Sequence, residues 1–338
     1  MRALAALSGG VDSSVAAAML LEEGYEVVGV TMKLWGGPQD SGCCSVADVE
    51  DARRVAQQLG IPHHVFNFTD DFEAQVVAPY VSAHAAGRTP NPCIECNRHL
   101  KFDRLLARAA QLGFDALATG HHARISGPHL RRGADSAKDQ SYVLYRLTGT
   151  QLGQLRFPVG ELTKAQVRER AAALGLRTAS KPDSQETCFI ESSGGRERFL
   201  GSRIALHPGR VVSVDGTHMG EVGAVELVTV GQRRGLQGVG AGRRYALSVD
   251  VPSATVTVGT LDDLRTGAVA LDDVSWVSGA APAKSQPLLA QCSAHGRPVP
   301  ARWSDGAAVF DAPQRRPAPG QAVVLYDGDV VVGGGTAT

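Results

Sequence analysis

Arg2-Ala3-Leu4-Ala5-Ala6-Leu7-Ser8-Gly9-Gly10-Val11-Asp12-Ser13-Ser14 is the stretch that decides the fold class. Arg2 to Leu7 is a short apolar strand. From Asp12 to Glu23, apolar residues at 15, 16, 19 and 20 have helical spacing. A glycine loop between a strand and a helix is an anion-binding arrangement. Glycine lets backbone N–H groups approach phosphate oxygens, and the helix N-terminus adds a favourable dipole. Ser8, Ser13 and Ser14 offer hydroxyl donors, and Asp12 offers a carboxylate for a metal ion on a pyrophosphate. The loop lacks the lysine of the GxxxxGK pattern, which argues against γ-phosphate transfer. The plainer reading is a Gly/Ser turn that caps a helix. The strand and helix on either side favour the anion loop.

The same alternation continues outward. Val27 to Leu34 reads as a strand, and Asp48 to Leu59 as a helix stopped by Gly60-Ile61-Pro62. His63 to Phe68 is a strand, Asp71 to Ala86 and Glu95 to Leu112 are helices, and Ala116 to Ala123 is a fourth strand. This rhythm predicts an α/β fold with a parallel sheet covered on both faces, its ligands at the carboxyl ends of the strands. Ser141 to Leu147 is apolar and β-like, and Lys164 to Leu174 is helical. Beyond about residue 200, short runs such as Arg210 to Val214 and Tyr245 to Val249 alternate with turn signals. The expected organisation is a catalytic domain over 1–200, a small β-rich domain over 201–265 and a C-terminal β-barrel over 266–338.

The 338 residues carry 34 basic and 34 acidic side chains, a formal net charge of zero. That excludes a protein that coats nucleic acid by bulk charge and leaves room for a local basic groove. Arg131-Arg132, Arg233-Arg234, Arg243-Arg244 and Arg315-Arg316, with Arg196, Arg198 and Arg203, would track phosphates if gathered on one side. Each pair alone reads as a solvated face. No apolar run approaches the roughly 18 residues of a membrane span. The opening apolar stretch is too short for a signal peptide, so a cytoplasmic protein is expected.

The six cysteines, at 43, 44, 93, 96, 188 and 292, are packing residues, metal ligands or reactive thiols rather than structural disulfides. Cys93-Ile94-Glu95-Cys96 stands where a loop enters a helix, and a helix N-terminus lowers a thiol pKa. Cys188 follows a second Pro-containing turn. Half of a zinc site, a redox CxxC and inert buried thiols are the competing readings of these cysteines. No second CxxC or HxxxH follows to complete a zinc site.

SGGVDSS resembles the loop of the PP-loop ATP pyrophosphatase superfamily, in which ATP adenylates a carbonyl oxygen and pyrophosphate leaves. With it, in order, come GVTMKLW, GCCSVADVEDAR, RTPNPCIECNRHLKF, ATGHHAR, KDQSYVLY, KPDSQETCFI and GQRRGL. The series, from residue 2 to about 240, is similar to the bacterial tRNA-specific 2-thiouridylases, and the C-terminal PGQAVVLYDGDVVVGGG also fits.

The resemblance implies that ATP, with Mg2+, adenylates the C2 oxygen of the wobble uridine of a tRNA. A sulfur-carrier protein or cysteine desulfurase would load Cys188 as a persulfide, whose sulfur attacks C2. Cys96 would be the resolving nucleophile, leaving a Cys96–Cys188 disulfide for a reductant. By the same resemblance ATP lies on Ala6, Leu7, Ser8, Gly9, Gly10, Val11, Asp12 and Ser13, with Met32 at the adenine and Gly120 near the nucleotide. Asn91, Pro92 and Cys93 would contact the target base. His121, Lys138, Asp139, Gln140 and Gln321 would contact tRNA. Without the family, Lys138-Asp139-Gln140 reads as a polar turn.

Two departures stand out. Family members commonly carry Asp, assigned to proton transfer, where this chain has Cys93. Cys93, Cys96 and Cys188 together make an iron–sulfur cluster a less favoured alternative, and no other metal-ligand set is read. Ala290 to His295 lacks the arginine common in the matching strand. A monomer without membrane attachment is expected. The rivals are a small-molecule PP-loop synthetase, which would need neither Cys96 nor Cys188, and a tRNA-binding protein with a decayed loop.

Overall fold

The computed structural model describes residues 1–35, 46–183, 188–191, 193–236, 242–284 and 286–338, and the side chains of Cys188 and Glu191 fall outside that description. Cys43 and Cys44 lie outside it too. Arg2–Ala6 (β1), Glu26–Lys33 (β2), His63–Asn67 (β3) and Ala116–Ala118 (β4) are followed by a hairpin of Ala123–Ser126 (β5) and His129–Arg132 (β6), then Leu155–Arg156 (β7). One sheet has the order β3-β2-β1-β4-β7 and is parallel throughout. The chain builds outward from β1 to β3, then returns to the other side of β1. The switch point therefore falls between β1 and β4, where such sheets open a crevice at their carboxyl ends.

Period-two alternation sends Ala3, Ala5 and Leu7 into one core and Leu4 into another. The helix Val11–Glu22 buries Val15, Ala16, Ala17, Ala18 and Leu20, small residues that let it lie close to the sheet. Its Val11, Val15 and Ala16 pack on Val167 and Ala171 of the helix Lys164–Ala173. Leu4, Leu20 and Leu117 are almost wholly enclosed, and each contributes about 2 kcal/mol by burial.

Gly209–Ser213 (β8), His218–Val222 (β9), Tyr245–Asp250 (β10) and Thr255–Gly259 (β11) form a second sheet, ordered β10-β11-β8-β9. Arg265–Trp276 (β12), Leu288–Gln291 (β13), Val299–Ser304 (β14), Ala307–Arg315 (β15), Ala322–Asp327 (β16) and Val330–Ala337 (β17) run antiparallel. The β12–β17 pairing closes them into a six-stranded barrel without free edges. The hairpin β5–β6 extends this sheet, with Arg131 opposite Val330. One core accordingly runs from Leu4, Phe102 and Leu117 through Leu130 and Tyr142 to Val324, Tyr326 and Val331.

Two sequence expectations are corrected. Ser141–Leu144 is a 3-10 helix rather than a strand, its apolar run explained by burial of Tyr142, Leu144 and Tyr145 around the turn. The strand expected over 116–123 ends at Ala118, and Ala123 begins another that joins the barrel sheet. No helix among the described residues is long and apolar enough to cross a membrane.

Candidate active site

The glycine loop leaves β1 at the switch point. Gly9 has φ +73°, and a Cβ there would stand 2.5 Å from the Asp48 carbonyl oxygen. Gly120, just past β4, closes the crevice from the other side: its Cβ would meet Ser13 N at 2.5 Å. Only glycine permits both approaches. The loop is also tied by its own hydroxyls. Ser14 Oγ donates to Gly10 O at 2.8 Å and Ser13 Oγ to the same oxygen at 3.1 Å. Ser8 Oγ lies 3.2 Å from Ser13 Oγ. The hydroxyls expected as phosphate donors thus brace the turn, and Ser14 is buried. Met32 is half-buried at the far end of β2.

Asp12 sits in a network that sequence reading missed. Lys164 Nζ lies 2.7 Å from both carboxylate oxygens, and His122 Nε2 is 3.1 Å from Oδ1. Burial alone would raise the Asp12 pKa; the bonds from His122 and Lys164 outweigh it and hold the carboxyl below its ordinary range. Asp183 binds Lys138 at 2.8 Å, Lys164 at 2.9 Å and Arg168 at 2.6 Å. Burial opposes ionisation there as well, but Lys138 and Lys164 keep Asp183 strongly acidic. Lys181 Nζ donates to Gly9 O at 3.0 Å and to Asp48 and Asp51 at 2.8 Å each, latching the loop to the helix Val46–Leu59. His122, Asp48, Asp51, Lys181 and Asp183 stand inside the quoted motifs, which was the available signal. Lys164 had none.

The segments Pro92–Glu95, Cys96–Leu105 and Leu106–Gln111 run on as one helix, with a π-helical middle that begins at Cys96. Such widened turns are frequent at functional sites. Asn91 caps its start, Oδ1 accepting from Cys93 N at 3.0 Å, and Pro92 takes the position where a missing N–H costs nothing. Cys93 and Cys96 are half-buried. Cys96 packs against an aromatic cluster that includes Phe189, next to Cys188 in the helix Cys188–Glu191. The Phe189 ring lies 5.0 Å from Phe199, 5.5 Å from Phe72 and 5.7 Å from Tyr80. Phe189 and Cys96, remote in sequence, thus belong to one hydrophobic cluster. The Cys188 side chain itself is outside the described residues.

The expected RNA-contacting residues are mostly engaged within the protein. His121 is buried between Phe102 and Phe157, both 5.7 Å away, and bonds Thr119 Oγ1 at 2.7 Å. Burial, then the charges of Lys101 and His122, keeps its pKa well below the imidazole value, so the ring is neutral. Asp139 is turned inward, accepting from Arg132 at 2.9 Å, Gly133 N at 2.9 Å and Ser141 N at 3.0 Å. Gln140 Oε1 accepts from His122 N at 2.9 Å. The polar-turn reading of this triplet describes its geometry here. The Gln321 amide donates to the Thr89 carbonyl oxygen.

Several expected phosphate-tracking arginines are also taken up. Arg131 pairs with Asp329, Arg315 and Arg316 donate to Gly231 O and Leu247 O, and Arg196 donates to Leu227 O. Arg233, Arg234 and Arg243 remain exposed. In the segment without the family's arginine, Gln291 accepts from Arg132 at 2.9 Å. Cys292 is a packing residue in the barrel, its thiol pushed up to about 11 by burial.

No group of three or more His, Cys, Asp or Glu is arranged to hold a metal ion among the described residues. A hollow of about 470 Å³ beside Asn97, Phe102, Arg146 and Asp273 includes none of the loop residues.

Comparison with known proteins identifies the family. Residues 1–192 match the family model described as tRNA methyl transferase HUP domain, and residues 266–337 match the aminomethyltransferase beta-barrel domain. The tRNA-specific 2-thiouridylase MnmA of Mycobacterium avium is 47% identical over 99% of this chain and 98% of its own. The proteins of that name from Thermobifida fusca and Heliobacterium modesticaldum are 45% and 46% identical, over 99% and 98% of this chain and 95% and 91% of theirs. At that identity over nearly the whole of both chains, this chain belongs to the tRNA-specific 2-thiouridylase family.

Proposed function

We propose that this protein replaces the C2 oxygen of a tRNA wobble uridine with sulfur, using ATP. The uridine C2 carbonyl is a poor electrophile with a poor leaving oxygen. Its oxygen attacks the α-phosphorus, pyrophosphate departs, and the oxygen becomes part of a leaving AMP. The terminal sulfur of a Cys188 persulfide attacks C2 and AMP leaves. Cys96 thiolate then attacks the Cys188 sulfur, breaking the S–S bond and leaving C2=S and a Cys96–Cys188 disulfide. A thiol reductant restores both.

The observation that carries this reading is the pairing of two features. The glycine loop lies at the sheet's switch point against Gly120, and Cys96 packs in the same cluster as Phe189, the neighbour of Cys188. Ala6 to Ser13, Met32 and Gly120 are assigned to ATP, and Asn91, Pro92 and Cys93 to the base. Asp12 suits Mg2+, which takes one or two carboxylates and completes its shell with phosphates and water. Proton transfer at the uridine is assigned to Cys93, with His121 or water as the other candidates. RNA contact by His121, Lys138, Asp139, Gln140 and Gln321 requires their present bonds to rearrange. Exposed Arg233, Arg234 and Arg243 support a phosphate contact from the 201–265 region. We place the reaction in the cytoplasm, with a monomer accepting sulfur from a carrier protein or desulfurase.

The test is incubation with ATP, tRNA and a persulfide donor, followed by nucleoside mass spectrometry. 2-Thiouridine is expected from the wild type and none from Cys188→Ala. Absence of product with a competent donor, or full product from Cys188→Ala, refutes the reading.

A further inference from the structure

The helix that carries Cys96 is gripped by the barrel. Cys96 and Leu100 pack into the aromatic cluster of Phe72 and Phe189. Asn97 and Arg98 instead border the hollow of about 470 Å³, so close packing does not fix that side of the helix. Polar bonds hold it. Asn97 Nδ2 donates to Val143 O at 3.3 Å, and Gln151 Nε2 donates to Phe102 O at 3.0 Å. Arg98, two residues past Cys96, donates from Nη1 to Asp273 Oδ2 of the barrel at 3.3 Å.

Asp273 reaches Arg98 because its strand is distorted. β12 and β17 pair Asp272 with Thr336 and Ser275 with Gly334. Asp273 and Val274 therefore oppose the single residue Gly335, which makes a β-bulge. Asp273 has φ +46°, a left-handed conformation that Asp tolerates better than most residues. A Cβ on Gly335 would stand 2.9 Å from Asp272 O and 3.2 Å from the Val274 side chain, so glycine makes room for the bulge. Bulges beside active sites re-aim a side chain. The re-aimed carboxylate also lies 2.7 Å from Nη2 of Arg146, whose side chain is only 5% exposed. Burial opposes ionisation of Asp273, but Arg146 and then Arg98 hold its carboxyl below the ordinary range.

Arg98 has a second carboxylate within reach. Its Nη1 is 3.9 Å from Glu95 Oε2, against 3.3 Å from Asp273. Glu95 immediately precedes Cys96, in the first turn of the helix. Without Asp273, Arg98 closes on Glu95 and tightens the turn that carries the thiol. The Arg98–Asp273 pair is exposed enough to add little stability. What it fixes is placement.

Resting on the sulfur-transfer reading above, we infer that Asp273 is a positioning residue for Cys96. It draws Arg98 away from Glu95, so the π-helical turn that opens at Cys96 keeps the thiol placed for attack on the Cys188 sulfur. In that step a Cys96–Cys188 bond forms and the bond from Cys188 to the sulfur on C2 breaks. The electron pair of the broken bond leaves on that sulfur, and N3 of the base takes a proton as C2=S forms. The barrel thereby acts on the release of product and not on adenylation.

The test is a single turnover of the full chain with ATP, tRNA and a persulfide donor, without added reductant. Products are read on a non-reducing gel and by nucleoside mass spectrometry. Cys96→Ala is the reference: it strands tRNA on Cys188 as an adduct that dithiothreitol releases as 2-thiouridine. Asp273→Asn and Arg98→Gln are each expected to accumulate the same adduct. Both should slow 2-thiouridine formation roughly tenfold to a hundredfold, the scale of a small misplacement of reacting groups. Pyrophosphate release should keep its wild-type rate, and the double variant should be no slower than either single one. Arg98→Gln leaves Arg146 its partner, so it carries the test if Asp273→Asn does not fold. A wild-type rate without adduct overturns the inference. So does an equal fall in pyrophosphate release and thiolation, which marks general loosening. A wild type that forms no 2-thiouridine, or a Cys96→Ala that forms no adduct, overturns the sulfur-transfer reading itself, and this inference with it.

Discussion

The side-chain amide of Gln321 donates to the carbonyl oxygen of Thr89, tying the barrel to the backbone that enters Asn91-Pro92-Cys93. Thr89 N returns a bond to Pro319 O at 2.8 Å, and Thr89 Oγ1 reaches Thr229 Oγ1 at 3.3 Å. The approach to the candidate base-binding triplet is thus held both by the barrel and by the segment between β9 and β10.

Gln321→Ala removes one arm of that clasp without touching the glycine loop. We expect 2-thiouridine formation to slow by about tenfold, the scale of a small misplacement of reacting groups. ATP affinity should stay the same. Product analysis beside an ATP titration checks both, and a parallel fall in ATP affinity would mean the clasp acts more widely.

Gly120→Ala should damage the nucleotide site directly. The new methyl would meet Ser13 N at 2.5 Å and the Asp12 carbonyl carbon at 2.6 Å, both backbone atoms that cannot swing aside. Overpacking of this kind costs about 1–3 kcal/mol. A lower urea midpoint and weakened ATP binding are expected; wild-type ATP affinity would show that the loop has room to retreat.

Phe189→Ala opens a void among Phe72, Tyr80 and Phe199. The expected loss is about 3–5 kcal/mol of stability, read from urea unfolding. Phe189→Leu should recover much of it. At temperatures where both variants stay folded, thiolation should fall with Phe189→Ala because the helix carrying Cys188 loses its anchor.

His84 predicts an acid sensitivity. It is buried, edge-to-face with Tyr80 at 4.6 Å, with Nδ1 3.3 Å from Glu226 O. Burial pulls its pKa from 6.5 to about 4, against the Glu226 bond and with help from the Arg196 charge. The unfolded chain gains this proton near 6.5, and the folded one only near 4. Stability is therefore full above 6.5 and declines as pH falls toward 4, by roughly 3 kcal/mol in all. Urea midpoints across that range should drop less for His84→Phe than for the wild type.

The parts of the site legible in sequence were local. Strand, glycine turn and helix lie within two dozen residues, and Asn91-Pro92 acts on its immediate neighbours. Lys164 was illegible because a lysine at a helix start looks the same whether it faces solvent or Asp12. Tyr142 to Tyr145 misled because an apolar run buried on all sides has no period to read. Lys138-Asp139-Gln140 and the arginine pairs were visible as charge, but their partners Asp183, Asp329 and Gly231 come from distant segments.

The strand β17 pairs with β6, and Leu130 and Tyr142 share a core with Val324, Tyr326 and Val331. That arrangement bears on synthesis. Domains ordinarily fold as they emerge from the ribosome, N-terminal first. Here the glycine loop, Cys96 and Cys188 are all translated before the strands that cover Tyr142. A nascent chain stalled ahead of Val324 would hold every reactive group yet present a bare apolar face, so it would be marked for chaperones or proteases before it could act on RNA.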